Sequence, residues 1–197
     1  MKKSLNVLFV GNSYTYYNDM PENCFKKVAA EAGCNVTVTA VTKGGAYLYQ
    51  YADPEHEQGK LLRQKISGQH YDVAVIQEQS VNPIINEELF LNGVRDMKML
   101  IDAERFVLYA TWGRNIGSPR LEELGMTREE MTERLSLAYN KAAQLYDMSV
   151  AEVGKAFLHY DSRDDLYDQD RSHPSAIGST VAAHVIFETI KAVVCES

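Results

Sequence analysis

Ser13 stands in Gly11-Asn12-Ser13-Tyr14-Thr15, directly after the apolar run Leu5–Val10. At the other end of the chain, Asp170-Arg171-Ser172-His173-Pro174 precedes a last, largely apolar stretch. A serine hydroxyl is a poor nucleophile at neutral pH and needs an adjacent base. A histidine is that base when a carboxylate bonds one ring nitrogen and leaves the other to take the serine proton. Asp170 and His173 sit close enough in sequence to pair within one loop. Pro174 turns His173 away from helical geometry, and Ser175 is placed to cap the helix that follows. Together, Ser13, Asp170 and His173 are the parts of a nucleophilic acyl-transfer site. Singly, each fits a plainer role. Gly-Asn-Ser suits a strand-to-helix turn with Ser13 as cap, and Asp170 also belongs to a solvated acidic run with Asp161, Asp164, Asp165 and Asp168.

Apolar, β-branched runs alternate with longer amphipathic stretches, and these elements must position the reacting groups. Leu5–Val10, Val36–Val41, Val73–Gln77 and Phe106–Thr111 read as strands, with Met148–Val150 as a short fifth. Met20–Ala32 reads as a helix, with Pro21 in its first turn and Gly33 as its stop signal. Further helices are expected at Gly59–Ser67, Glu87–Ala103, Thr127–Tyr146, Glu152–Tyr160 and Ala176–Cys195. Thr127 with Glu130 three residues on is a capping-box pattern. Buried strands between helices predict a parallel sheet covered on both faces. The expected fold class is α/β: a three-layer α/β/α sandwich on a flavodoxin-like five-stranded sheet, in one domain over 1–197. Ligands bind beyond the carboxyl ends of such strands. Ser13, the Gly44-Gly45 turn, Gln77–Asn82 and Trp112 all follow strand ends, so they converge on one edge.

The chain has 197 residues, 45% hydrophobic and 24% charged, ordinary globular values. That length buries roughly 70% of the surface of the unfolded chain, enough for a core without staples. A net charge of −7 argues against binding a phosphate backbone, so no nucleic-acid partner is expected. Cys24, Cys34 and Cys195 are an odd set without metal-ligand spacing, and buried free thiols are the expected state. Met1-Lys2-Lys3 resembles a signal start, but the apolar run after it is too short for a leader or a membrane span. A cytoplasmic protein without a membrane partner is expected. The five histidines show no metal-ligand motif, and no phosphate-binding loop is present.

The motifs resemble those of the SGNH (GDSL-like) hydrolase superfamily. Gly11-Asn12-Ser13-Tyr14 stands for its G-D-S-L block, and Asp170–Gly178 resembles its D-x-x-H-[PL]-x-x-x-G ending. Thr42-Lys43-Gly44-Gly45-Ala46 resembles the second block, whose glycine N–H donates to the oxyanion; Gly44 and Gly45 both remain candidates. Ile76-Gln77-Glu78-Gln79-Ser80 stands where the superfamily has G-x-N-D. The asparagine is missing, and a glutamine amide is able to donate the same bond. Gln77 is favoured over Gln79, with Asn82 the alternative if the loop bulges. The resemblance implies a serine esterase without metal or organic cofactor, with Ser13, Asp170 and His173 catalytic and the Ser13 N–H among the oxyanion donors. The expected substrate is a small O-acyl ester, favouring acetyl, on a carbohydrate. Tyr14, Tyr47 and Trp112 are expected to bind it, since aromatic faces suit sugars and acyl groups. Arg114 is expected to face solvent rather than bind an anion. Two other readings compete: a flavodoxin-like phospho-ligand domain, and a non-catalytic carbohydrate-binding or scaffold protein on a degenerate hydrolase fold.

Overall fold

Five parallel strands form the sheet, in the order β2-β1-β3-β4-β5. They are β1 Ser4–Gly11, β2 Asn35–Thr42, β3 Tyr71–Ile76, β4 Ala103–Ala110 and β5 Ser149–Glu152. The structure, a computed structural model, describes residues 4–195. Met1-Lys2-Lys3, where the signal-like start was weighed, lie outside the described residues. The period-2 alternation of β-strands sends side chains to two separate cores. Leu8, Val10, Ala74, Ile76 and Leu108 face one side, under helices that include Glu57–Ile66, Glu87–Leu100 and Arg128–Tyr146. Val7, Phe9, Val73, Val75 and Val107 face the other, under Lys26–Glu31, Val153–His159 and Ala176–Cys195. The fold class is therefore the expected α/β sandwich. Helix Ala176–Cys195 is apolar enough to pass for a membrane span. Its Ala182, Ala183, Ile186, Phe187 and Ile190 are fully buried in the second core instead.

The differences from the expected elements have local causes. The first helix opens as a π-helical segment, Met20–Phe25, before turning α-helical at Lys26–Glu31. Two consecutive left-handed residues, Asn18 (φ 55°) and Asp19 (φ 54°), aim the chain into it. The tyrosine-rich stretch contains a short helix, Leu48–Ala52, and further short helices form at Asn82–Ile85 and Pro119–Glu123. These are too short for an amphipathic period to register. Helix Glu87–Leu100 ends earlier than expected because β4 already begins at Ala103. The capping box is made: the Glu130 N–H donates to Thr127 Oγ1 at 3.1 Å, and the Thr127 N–H to Glu130 Oε2 at 2.8 Å. All three cysteines are free, but only Cys34 is buried; Cys24 is half-buried and Cys195 exposed.

The strand order reverses at β1. The chain leaves β1 for β2 on one side, then returns to β3 on the other. The crevice beyond the carboxyl ends of β1 and β3 is where such a sheet binds ligands. Ser13 follows β1 and Gln79 follows β3, so both stand at this point.

Candidate active site

Ser13 opens the helical turn Ser13–Tyr16 directly beyond β1. The cap of that turn is Asn12, whose Oδ1 accepts the Tyr14 N–H at 3.1 Å. Such a cap stabilises a helix by roughly 1 kcal/mol, and here it leaves the Ser13 hydroxyl free for other partners. Asn12 Nδ2 donates to the Ala46 carbonyl at 3.1 Å, tying this turn to the Gly44-Gly45 loop. A Cβ on Gly11 would lie 2.4 Å from Thr15 Oγ1 and 2.7 Å from Gln77 Oε1, so only glycine fits there.

Ser13 Oγ lies 2.8 Å from His173 Nε2. On the far side of the ring, His173 Nδ1 bonds Asp170 Oδ2. The other carboxylate oxygen, Oδ1, accepts the backbone N–H groups of Ser172 and His173, each at 2.9 Å. Partial burial of Asp170 opposes ionisation. The His173 ring and the two N–H donors outweigh that, and hold its carboxyl below the usual aspartate value. The loop is braced around the pair. Tyr167 bridges to Pro174, Trp112 Nε1 donates to the Ser172 carbonyl at 3.0 Å, and Asn18 Nδ2 donates to the Pro174 carbonyl at 2.9 Å. Ser175 Oγ accepts the Gly178 N–H at 3.1 Å, the cap expected for the last helix. The structure thus brings Ser13, His173 and Asp170 into one hydrogen-bonded chain.

A cavity of about 220 Å³ opens over Ser13 and His173. Gly45, Gln79, Ser80 and Arg114 line its other side. Gly45 sits at φ +69° in a turn closed by the Ala46 N–H on the Lys43 carbonyl at 3.1 Å. That left-handed position favours glycine. Gly44 is adjacent but does not line the cavity. Among the described residues, the Ser13 and Gly45 N–H groups donate to no protein acceptor.

Gln77 is not placed as the sequence led us to expect. It is buried, and its Oε1 accepts from the Asn12 N–H at 2.9 Å and the Thr15 hydroxyl at 2.8 Å. Its amide nitrogen is turned onto the Glu78 carbonyl. Gln77 therefore fixes the nucleophile's turn, and Gln79 reaches the cavity in its place. Gln79 Oε1 accepts the Val81 and Asn82 N–H groups at 3.0 and 3.2 Å, which pins the loop and leaves its amide nitrogen near Ser80 Oγ at 3.4 Å. Asn82 is buried and starts its own short helix, outside the cavity lining.

The aromatic expectations divide. Tyr14 lines the cavity, and its hydroxyl lies 2.6 Å from Ser172 Oγ. Trp112 is fully buried, stacked between Tyr14 and Phe157 with centroids at 4.8 and 4.2 Å. It supports the histidine loop from behind and offers no face to a ligand. Tyr47 pairs with Tyr49 outside the cavity lining. Two other aromatics stand nearby: Tyr17, stacked on His173 with centroids 4.4 Å apart, and exposed Tyr16, whose hydroxyl approaches Gly44. Both lie in the Tyr14–Tyr17 segment, so proximity to Ser13 in sequence was the available signal.

Two residues were missed or misplaced by sequence reasoning. Arg114 lines the cavity and does not simply face solvent. Glu78 is fully buried behind the site; its Oε1 accepts the Leu48 N–H at 3.2 Å and the Gln79 N–H at 2.6 Å. A charged residue between two glutamines in a loop gives no sequence signal of burial. A larger hollow of about 430 Å³, lined by residues including Tyr49, Arg63 and Met99, lies elsewhere and holds no nucleophile–base pair.

No family model matches the sequence, and no curated protein matches it. Solved structures do. A protein from Slackia heliotrinireducens, assigned to the SGNH hydrolases, superposes with a TM-score of 0.80 at 30% identity, over 95% of this chain and 99% of that one. A DUF4886 family protein from Bacteroides uniformis gives a TM-score of 0.78 at 16% identity, over 96% of this chain and 83% of that one. A lipase/acylhydrolase from Enterococcus faecalis gives 0.75 at 18% identity, over 95% and 96%. The last two show likeness of fold. With the Slackia heliotrinireducens protein the likeness extends to sequence over nearly its full length, and the chain belongs to the SGNH hydrolase superfamily as one of its serine hydrolases.

Proposed function

We propose that the protein is an esterase that removes a small O-acyl group, acetyl being the best fit, through an acyl-enzyme on Ser13. The observation that carries this reading is the continuous chain from Ser13 Oγ through His173 to Asp170. His173 Nε2 takes the hydroxyl proton as Ser13 Oγ attacks the ester carbonyl, and returns it to the departing alcohol. Asp170 fixes the tautomer with the proton on Nδ1 and stabilises the imidazolium. The N–H groups of Ser13 and Gly45 and the amide of Gln79 then stabilise the tetrahedral oxyanion, since all three residues border the cavity. Water repeats the sequence on the acyl-enzyme. The volume of about 220 Å³ favours a short acyl group. Tyr17, stacked on His173, and the exposed Tyr16 beside it favour a carbohydrate as the alcohol, stacked on an aromatic face.

The test is hydrolysis of 4-nitrophenyl acetate by the purified protein, followed by labelling with a serine-directed phosphonylating reagent and peptide mapping. The expected result is turnover that survives chelators and a label on Ser13. Ser13→Ala should abolish both. A label on another residue, or a folded Ser13→Ala protein with full activity, contradicts the mechanism. O-acetylated oligosaccharides then test the alcohol portion against the aryl ester.

A further inference from the structure

Arg114, in the loop beyond β4, lines the cavity beside Ser80, and the same cavity is lined by Gln79, Ser13 and His173. Its surroundings do not satisfy it. A guanidinium carries five N–H donors and no acceptor. Here one nitrogen donates to the Ser80 hydroxyl at 3.2 Å, while Nε is buried and has no partner. Among the described residues Arg114 makes no ion pair. Other arginines have partners for their charge: Arg128, whose Nε is likewise buried without a hydrogen bond, pairs with Asp164, Arg120 with Glu123 and Arg95 with Asp96, and Arg63 donates to backbone carbonyls. The contrast is sharper because the protein as a whole is acidic, with a net charge of −7. Desolvating a cation without a counter-charge is unfavourable. A half-buried guanidinium that borders the same cavity as Ser13 is therefore set to be completed by the ligand.

From this geometry we infer that Arg114 is a specificity residue, and that the substrate carries a small anionic group, of the carboxylate kind, a few bonds from the scissile carbonyl. The inference rests on the esterase reading and narrows it. Planar carboxylate matches the guanidinium fork, with two parallel N–H···O bonds. The cavity volume of about 220 Å³ sets the short separation, because Arg114 and Ser13 border the same small space. Gln79 and Ser80, which line the same cavity, carry no charge and bring no competing anion to Arg114. The anion belongs to either the acyl or the alcohol portion, and the two are separated by experiment.

The experiment uses two matched ester pairs. For the acyl side the pair is 4-nitrophenyl hemiglutarate and its neutral methyl ester. For the alcohol side it is 3-acetoxybenzoate and its neutral methyl ester. In one of the pairs, kcat/KM should favour the anion by roughly 10–10²-fold, the range of a charge-assisted hydrogen bond, and the pair that shows it locates the anion. Arg114→Gln should bring the anion-to-neutral ratio of that pair close to one, and Arg114→Lys should restore part of it. The ratio, rather than the rate, is the readout, because a merely structural role would lower both members alike. No preference in either pair, or a ratio unchanged in a folded Arg114→Gln protein, overturns the inference.

Calorimetric titration of monomethyl glutarate and of benzoate into Ser13→Ala protein reads the site without turnover. Binding that Arg114→Gln removes supports the inference even if the reaction proves to be something other than ester hydrolysis. Binding of neither, or binding indifferent to Arg114, refutes it. Inactivity on all four esters, with the anion still bound at Arg114, would overturn the esterase reading alone.

Discussion

Glu78→Gln isolates a buried carboxyl that links the segment after the Gly44-Gly45 turn to the Gln79 loop. Glu78 is fully buried, and its Oε1 accepts N–H bonds from Leu48, after the Gly44-Gly45 turn, and from Gln79. Burial raises its pKa from 4.5 to about 7, although the two backbone donors oppose the rise. In the unfolded chain the carboxyl titrates near its ordinary value. Between about pH 4.5 and 7 the folded protein therefore binds a proton that the unfolded chain has released, and stability falls as pH rises through that window. At about 1.4 kcal/mol for each tenfold change in proton affinity, the loss across the window is roughly 3 kcal/mol. Glutamine keeps a carbonyl oxygen for the same two N–H groups and carries no charge at any pH. Urea unfolding of both proteins at closely spaced pH values from 4 to 8 gives the difference in stability directly. Groups common to both proteins cancel in that difference. The variant should gain on wild type steadily from about pH 4.5 to about pH 7, by roughly 3 kcal/mol in total, and then hold level. A difference that is flat with pH, or one that grows toward acid, would refute the reasoning.

Four substitutions test the catalytic arrangement. Asp170→Asn should leave circular dichroism unchanged and cut kcat by up to roughly 10⁴, because the histidine loses the partner that sets its tautomer. His173→Ala should abolish turnover, and a folded His173→Ala protein that kept its activity would sink the mechanism. Gln79→Ala should lower kcat by roughly 10² with little change in KM, as loss of one oxyanion donor does. Gln77→Ala should act on stability first, by roughly 1–3 kcal/mol in urea, because it orphans the buried Asn12 N–H and Thr15 hydroxyl. Loss of kcat in Gln77→Ala at unchanged stability, with Gln79→Ala fully active, would reverse the two assignments.

The fold was legible because the strands are short runs rich in apolar and β-branched residues, and such runs between helices have few arrangements open to them. The nucleophile and the acid–base pair were legible for a related reason. Ser13 directly follows a strand end, and Asp170 and His173 need only one loop to meet. What the sequence hid were the directions of side chains within loops. Gln77 and Gln79 are two positions apart and chemically identical. Strand β3 ends at Ile76, and which glutamine faces the cavity depends on the turn that follows. Trp112 and Arg114 are likewise neighbours beyond β4, yet one packs under Tyr14 and the other enters the cavity. Glu78 was invisible because a buried carboxylate is defined by the N–H groups around it, and those come from distant loops.

The reacting groups come from opposite ends of the chain: Ser13 and His173 stand 160 positions apart. During synthesis Ser13 is made well before His173. A nascent chain that has already laid down its first strand holds a serine without an acceptor for its proton, and so is chemically inert toward acyl groups. On the proposed mechanism, hydrolysis begins only once the loop carrying Asp170 and His173 has emerged and docked onto Trp112 and Asn18. Turnover is thereby a readout of completed folding. A stalled or truncated ribosomal product would stay silent, however native its first four strands.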